Sequence, residues 1–206
     1  EATPVSREFN HSFSLAKLAA NAFSILTSDM TNRIASFVLY ALVARQLGGR
    51  EFGQMSLGLT YFQSFQFLAV AGIQALVTRE IARNRSQTGR YLINANVTVS
   101  GFALLAIVLL GLLARLLQYA PDTTWVILWL SAGLLPYALS TIYDAVFQAW
   151  EQMHYIAYAN LLVNLVRIGG SVWLLTSGYG LMALVALLLA AHLLTVLVKW
   201  GLAQYY

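Results

Sequence analysis

Charged and polar side chains at helical spacing lie inside an otherwise apolar stretch between residues 27 and 53. Asp29 and Arg33 are four residues apart and therefore share one face of a helix, and Asn32 and Ser36 extend the same stripe. A charge near the centre of a bilayer costs roughly 3 kcal/mol, so such residues usually face a protein interior or a water-filled cavity. The stripe offers a carboxylate, a guanidinium and hydrogen-bonding groups. We therefore expect ligand binding on this face, with Asp29 also a candidate for ion coupling.

The composition requires a membrane. Of the 206 residues, 59% are hydrophobic and only 10% are charged, whereas soluble domains carry about 25% charged residues. The mean hydropathy is +0.68. The chain has no cysteine, which excludes disulfides and thiol chemistry, and its net charge of +4 does not indicate nucleic-acid binding. The fold predicted is an all-α polytopic membrane helix bundle.

Apolar segments of about 20 residues, each long enough to cross a bilayer, follow one another along the chain as a single membrane domain over residues 1–206. Short polar or glycine-rich breaks separate them. The six predicted crossings are 18–46, 54–78, 91–117, 124–149, 155–176 and 180–203. The chain begins without methionine and ends directly after an apolar segment, so we expect it to be part of a longer protein.

Lysine and arginine predict the orientation, because cytoplasmic loops carry an excess of these residues. With six crossings, one side holds Arg7, Lys17, Arg79, Arg83, Arg85, Arg90 and Lys199. The other side holds Arg45, Arg50 and Arg115. This asymmetry predicts a cytoplasmic N-terminus and a cytoplasmic 79–90 loop, which would also meet the headgroups of membrane lipids.

Further polar residues follow the fourth and fifth predicted crossings. Asp144, in the fourth, is a second candidate for ion coupling, although hydration near a helix end would also explain it. Arg167, in the fifth, has no acidic residue within one helical turn, so its partner must come from another helix, from water or from an anionic ligand. Asn164 is a candidate for the same cavity, although asparagine often bonds one membrane helix to another. The sixth crossing is almost entirely leucine, alanine and valine, so we expect it mostly to face lipid, with His192 packed and neutral.

Some features favour packing as well as function. Asp29 and Arg33 can form an ion pair that only fixes helix packing, and paired charges of this kind occur in both roles. Pro136 is expected to kink the fourth crossing.

Motifs of metalloproteases, phosphate-binding loops and serine hydrolases are missing from the sequence, and the three histidines do not have metal-ligand spacing. The sequence therefore predicts no enzyme, no metal site and no cofactor.

Two blocks resemble the start of polysaccharide or oligosaccharide flippases of the O-antigen (Wzx-like) type, within the multidrug/oligosaccharidyl-lipid/polysaccharide exporter superfamily. The first contains R-I-A-S-F at 33–37, A-R-Q-L-G at 44–48 and E-F-G-Q-M-S-L at 51–57. The second is G-I-Q-A-L-V-T-R-E-I-A-R-N at 72–84. The resemblance covers about the first 90 residues; beyond them only the length and hydrophobicity of the helices agree.

The resemblance implies the N-terminal lobe of a protein with 12 to 14 helices. That protein would flip an undecaprenyl-pyrophosphate-linked oligosaccharide across the bacterial or archaeal inner membrane by alternating access against a C-terminal lobe. Related lipid II flippases carry an arginine at the position of Arg33, which implies a pyrophosphate contact there. Their second arginine corresponds to Leu39 here, and our hypothesis is that Arg167 supplies that charge instead.

Two other functions remain open at this point. A cation-coupled drug or small-molecule antiporter of the same superfamily would need an acidic cluster, for which Asp29 and Asp144 are the intramembrane candidates. A non-transporting membrane scaffold would pair its polar stripes with one another and leave no hydrated cavity.

Overall fold

The computed structural model describes the backbone of residues 4–204, and side chains from Ala22 onward except Ser28. This part of the chain forms eight α-helices and no strand. The helices are α1 (Pro4–Gln46), α2 (Gly49–Val70), α3 (Ile73–Arg83), α4 (Thr88–Leu116), α5 (Pro121–Ala132), α6 (Leu134–Ala149), α7 (His154–Thr176) and α8 (Leu181–Ala203).

Two pairs of helices follow one another after a short break, which groups the eight helices into six units. The axes of α2 and α3 differ by 40°, and α5 continues into α6 after a break at Gly133. The six units match the six predicted crossings in order. Their short connections make successive units antiparallel. We call the end of the bundle that carries Arg79, Arg83, Arg85 and Arg90 the basic end, and the opposite end the Gly48 end.

Length and composition support membrane crossing for most of these units. Four are long and apolar enough, namely Arg85–Leu116, Pro121–Ala149, His154–Thr176 and Leu181–Ala203, and the bent α2–α3 pair is a fifth. The first helix is outside this set, because its polar stripe lowers its hydropathy. The predicted number of about six crossings is therefore approximate.

Both breaks have a local cause. Between α2 and α3, Ala71 and Gly72 adopt left-handed backbone angles, with φ of 46° and 73°. Only glycine takes up this conformation without strain. The prediction of an unbroken helix over 54–78 was wrong here, because an apolar stretch does not reveal such a turn. In the fourth crossing Pro136 cannot donate a hydrogen bond to the carbonyl of Ala132, which is the last residue of α5.

The helices form two groups with a cleft between them. Helices α2 to α6 share the largest hydrophobic core, and the α5–α6 crossing is the most enclosed, with 61% of its apolar window buried against 28% for α4, α7 and α8. Helix α1 packs chiefly against α7, and α7 packs against α8. Most of α8 faces outward, as predicted, but one stripe of it turns toward α6. We call these sets the α2–α6 group and the α1–α7–α8 group.

Candidate functional site

A polar cavity of about 570 Å³ lies between the two groups of helices. One wall belongs to α1, α7 and α8, and the other to α2, α3 and α6. Known small-molecule sites occupy about 300–1,000 Å³, so this space is large enough for a ligand. Its polar lining consists of Asp29, Asn32, Ser36, Tyr40, Gln63, Gln66, Gln74, Tyr137, Ser140, Thr141, Asp144, Gln148, Asn160, Asn164, Arg167, His192, Thr195 and Lys199.

Helix α1 places most of its predicted stripe in this cavity. Asp29, Asn32 and Ser36 all line it, and the Ser36 hydroxyl donates to the backbone carbonyl of Asn32 at 2.8 Å. Arg33 is not among the lining residues, and its side chain is exposed on the neighbouring face. Within the described residues no ion pair joins Asp29 to Arg33, so the two charges do not neutralise each other in this structure. The predicted role of Arg33 stays a prediction.

A hydrogen bond between two asparagines fixes α1 against α7. The Asn164 amide nitrogen donates to the Asn32 side-chain oxygen at 2.7 Å, and Asn164 is only 3% exposed. Helices α1 and α7 both run from the basic end to the Gly48 end, so this bond sets their register. Asn164 therefore bonds the two helices together and also contributes to the cavity wall.

Arg167 presents a charge that the described protein groups do not satisfy. Its side chain lines the cavity, yet its Nε and Nη2 atoms are buried and have no hydrogen-bond partner among the described residues. The neighbouring Ser171 donates to the Arg167 backbone carbonyl at 2.6 Å and leaves the guanidinium untouched. A buried guanidinium without a partner is costly, and a planar, bidentate anion is the ligand whose geometry matches it best.

Asp144, predicted as a hydrated or ion-coupling carboxylate, forms a buried ion pair with Lys199. The Lys199 ammonium lies 2.7 Å from one carboxylate oxygen and 2.8 Å from the other. Lys199 lies near the end of α8 at the basic end, the side to which the sequence assigned it, but its side chain is only 2% exposed. Proximity to the end of an apolar segment does not show which way a side chain turns. The pair joins α8 to α6 across the cavity.

His192 is packed, as the sequence predicted, and it also reaches the cavity. Its Nδ1 lies 2.8 Å from the Leu188 carbonyl oxygen, and since a carbonyl only accepts, Nδ1 carries the proton. The ring packs at 5.1 Å from the ring of Phe62 on α2. This contact needs Gly133, where an added Cβ would lie 3.3 Å from Phe62 and 3.0 Å from the Leu130 carbonyl oxygen.

The polar residues of α2, α3 and α6 divide between the cavity and the outer surface. Gln63 and Gln74 line the cavity, as do the polar residues of α6 that the sequence placed inward. Thr60 and Ser64 are exposed on the outer side of α2, and each hydroxyl donates to a backbone carbonyl of its own helix. Helical spacing therefore identifies a polar stripe on an apolar helix, but it does not show which residues of the stripe face the protein interior.

Exposed arginines outside the cavity make ion pairs and one cation–π contact at the two ends of the bundle. At the basic end Arg79 and Arg83 contact Glu80, at 3.0 and 3.8 Å, and the Arg85 guanidinium lies 5.0 Å from the ring centre of Trp150. At the Gly48 end Arg50 pairs with Asp122 at 3.0 Å. All of these arginines are exposed, so these contacts contribute little to stability.

The unpaired donors of Arg167, rather than the net charge of the cavity, favour an anion. Four of the lining residues are charged, and their charges sum to zero: Asp29, Asp144, Arg167 and Lys199. Asp144 and Lys199 neutralise each other, which leaves the Asp29 carboxylate and the Arg167 guanidinium, whose buried Nε and Nη2 atoms have no partner among the described residues. Among the residues whose side chains are described, no three histidine, aspartate or glutamate residues lie close enough together to hold a metal ion. The arrangement can bind an anionic group and its polar substituents without covalent chemistry.

Comparison with known proteins identifies a family and a fold. The family model described as "Polysaccharide biosynthesis protein" matches residues 18–205. The fold is similar to that of a MOP superfamily transporter from Pyrococcus furiosus Vc1, whose binding pocket is described as having a reverse polarity that suggests a different function. The TM-score is 0.68 at 13% sequence identity, and the match covers 89% of this chain but 43% of that transporter. No curated protein matches the chain.

Proposed function

Because the chain belongs to the polysaccharide biosynthesis protein family, we propose that it forms one lobe of an exporter that flips a lipid-linked oligosaccharide across the inner membrane. The pyrophosphate of an undecaprenyl carrier is the group that the cavity would hold. The match to less than half of a MOP transporter supports a second lobe in the complete protein. Closure of one lobe against the other would then give alternating access to a fixed site.

Arg167 is the observation that carries this proposal. Its buried Nε and Nη2 atoms form the fork that binds two oxygens of one phosphate. Amides, hydroxyls and tyrosines elsewhere on the wall suit the hydroxyl-rich sugar that follows the pyrophosphate. The prenyl chain needs no protein site, because the bilayer itself dissolves it.

The two alternative functions receive less support. A cation-coupled antiporter would need a cluster of acidic residues, but of the two carboxylates in the cavity Asp144 is paired with Lys199 at 2.7 and 2.8 Å, which leaves Asp29 as a single carboxylate. A scaffold would pack its polar stripes together, whereas here they surround a cavity of about 570 Å³. The excess of arginine at the basic end supports a cytoplasmic location for that end.

Substitution of Arg167 tests the proposal. In the full-length protein, Arg167→Gln should abolish complementation of a strain that lacks its own flippase, because the anion loses a guanidinium whose buried Nε and Nη2 atoms have no other partner among the described residues. Arg167→Lys should retain part of the activity, since it keeps the charge but loses the planar fork. Arg115→Gln is the matched control, because Arg115 is an exposed arginine of α4 outside the cavity.

Immunoblots of the membrane fraction would confirm that all three variants insert at the level of the unsubstituted protein. Complementation by Arg167→Gln equal to that of Arg115→Gln would contradict the proposal, and Arg167 would then have a packing role.

A further inference from the structure

Lys199 is a buried cation that the anion site at Arg167 does not explain. It lies on α8, a helix otherwise built almost entirely from leucine, alanine and valine, and it is 2% exposed. Its contact with Asp144 joins α8 to α6. Buried ion pairs stabilise proteins weakly, because the cost of removing both charges from water offsets their attraction. Two apolar side chains would hold these helices together at least as well, so stability alone does not account for the pair.

The ammonium of Lys199 keeps a donor free. A lysine has three N–H donors. Among the described residues Lys199 Nζ donates one hydrogen bond, to Asp144 Oδ2 at 2.8 Å, and Oδ1 lies 2.7 Å away in the ion pair. The side chain lines the same cavity as Arg167. A ligand in the cavity can therefore accept a further hydrogen bond from Lys199 without separating the ion pair.

The geometry of α7 and α8 brings the two cations toward each other. The helices are antiparallel, and Leu187 of α8 packs against Gly170 of α7, so these two residues lie at the same height along the bundle. From that register, the Cα atoms of Arg167 and Lys199 are about 13 Å apart along the bundle, at 1.5 Å per residue. Side chains tilt toward the N-terminus of their own helix. In antiparallel helices Arg167 and Lys199 therefore lean into the space between them, where one extended anion can contact both.

We propose that Lys199 is a specificity-determining residue that binds the second phosphate of a diphosphate whose first phosphate lies on Arg167. This inference rests on the proposed function. Asp144 holds Lys199 in place and neutralises it while the cavity is empty, and its carboxylate weakens the attraction of Lys199 for the ligand. A monophosphate occupies Arg167 alone, so the two cations together select a diphosphate.

Binding measurements on the full-length protein in detergent test this assignment, with farnesyl diphosphate and farnesyl monophosphate as probes in isothermal titration calorimetry. Lys199→Met should weaken diphosphate binding about tenfold, the size of effect expected when one close charge contact is lost, and leave monophosphate binding nearly unchanged. Asp144→Asn should strengthen diphosphate binding. The double variant Lys199→Met/Asp144→Asn should bind diphosphate as weakly as Lys199→Met does, because Asp144→Asn strengthens binding only by freeing the charge of Lys199.

Two control variants separate the Lys199 contact from a general electrostatic effect and from misfolding. Asp29→Asn removes a cavity carboxylate that has no lysine partner among the described side chains. A gain in diphosphate binding equal to that of Asp144→Asn would show that both gains come from the general electrostatic field of the cavity. The double variant replaces the ion pair with two neutral side chains of similar size, so it is expected to fold even where Lys199→Met alone does not. Lys199→Arg should keep the preference for diphosphate.

The outcomes distinguish the two proposals. Failure of the unsubstituted protein to bind either probe, or undiminished binding by Arg167→Gln, overturns the proposed function. Diphosphate binding that depends on Arg167 but keeps its preference over monophosphate in the double variant overturns only the role of Lys199. The role of Lys199 is also overturned if Asp144→Asn still strengthens diphosphate binding when Lys199 is replaced by methionine.

Discussion

Asp29 and Arg33 show how finely a cavity boundary can divide one helix face. Residues four apart are offset by about 40° around a helix with 3.6 residues per turn. That offset places Asp29 in the cavity wall and Arg33 on the exposed side beside it. A guanidinium exposed at membrane depth is costly against lipid, so in the complete protein we expect water, ligand or other parts of the protein to surround it.

Removal of the Arg33 charge should therefore affect transport. We expect Arg33→Ala in the full-length protein to abolish complementation of a flippase-deficient strain, and Arg33→Lys to retain part of it, because the charge survives without the fork. The neighbouring Ile34→Ala is a matched control, since Ile34 is exposed on the same helix. Activity of Arg33→Ala equal to that of the unsubstituted protein would remove Arg33 from the transport mechanism.

At the scale of helices, close approach of α5 and α6 to their neighbours depends on Gly133. A Cβ at this position would lie 3.0 Å from the Leu130 carbonyl oxygen, a backbone atom that cannot rotate away. Gly133→Ala should therefore destabilise the protein, by about 1–3 kcal/mol for an overpacked core. Gly101→Ala, at a position of α4 with open space around it, should instead stabilise the helix by up to about 1 kcal/mol.

Thermal unfolding of the detergent-solubilised variants, followed by fluorescence-detected gel filtration, compares the two glycines. An unfolding midpoint temperature for Gly133→Ala at or above that of Gly101→Ala would contradict this prediction. It would mean that the backbone between α5 and α6 can shift to make room for the added methyl group.

The sequence predicted the elements better than their rotation. Apolar length identified the units, and helical spacing identified the polar stripes of α1, α6 and α7, because both depend on local chemistry alone. The orientation of each stripe relative to its neighbours depends on tertiary packing. For this reason the sequence could count Lys199 among the charges of one side of the membrane, but could not show that its side chain turns inward to Asp144. The left-handed turn at Ala71 and Gly72 was also missed, because hydropathy does not report backbone angles.

For the whole molecule, the proposed function requires that water reach the cavity between the two helix groups. This chain has no cysteine, so single cysteines introduced into it can report this directly once any cysteine elsewhere in the full-length protein is replaced. In the full-length protein, cysteines at Ser36 and Gln63 should react with a membrane-impermeant thiol reagent, because both positions line the cavity. A cysteine at Val108, which is exposed in the middle of α4, is the lipid-facing control and should not react.

Gly49→Cys, at the exposed start of α2, is the positive control for labelling. Addition of farnesyl diphosphate should protect Ser36→Cys and Gln63→Cys and leave Gly49→Cys unchanged, because only the first two share the cavity with Arg167. Absence of labelling at both cavity positions, with normal labelling of Gly49→Cys, would mean that the two helix groups close on each other in the membrane. The scaffold function would then explain the polar stripes better than transport does, because a packed interior leaves no path for a charged headgroup.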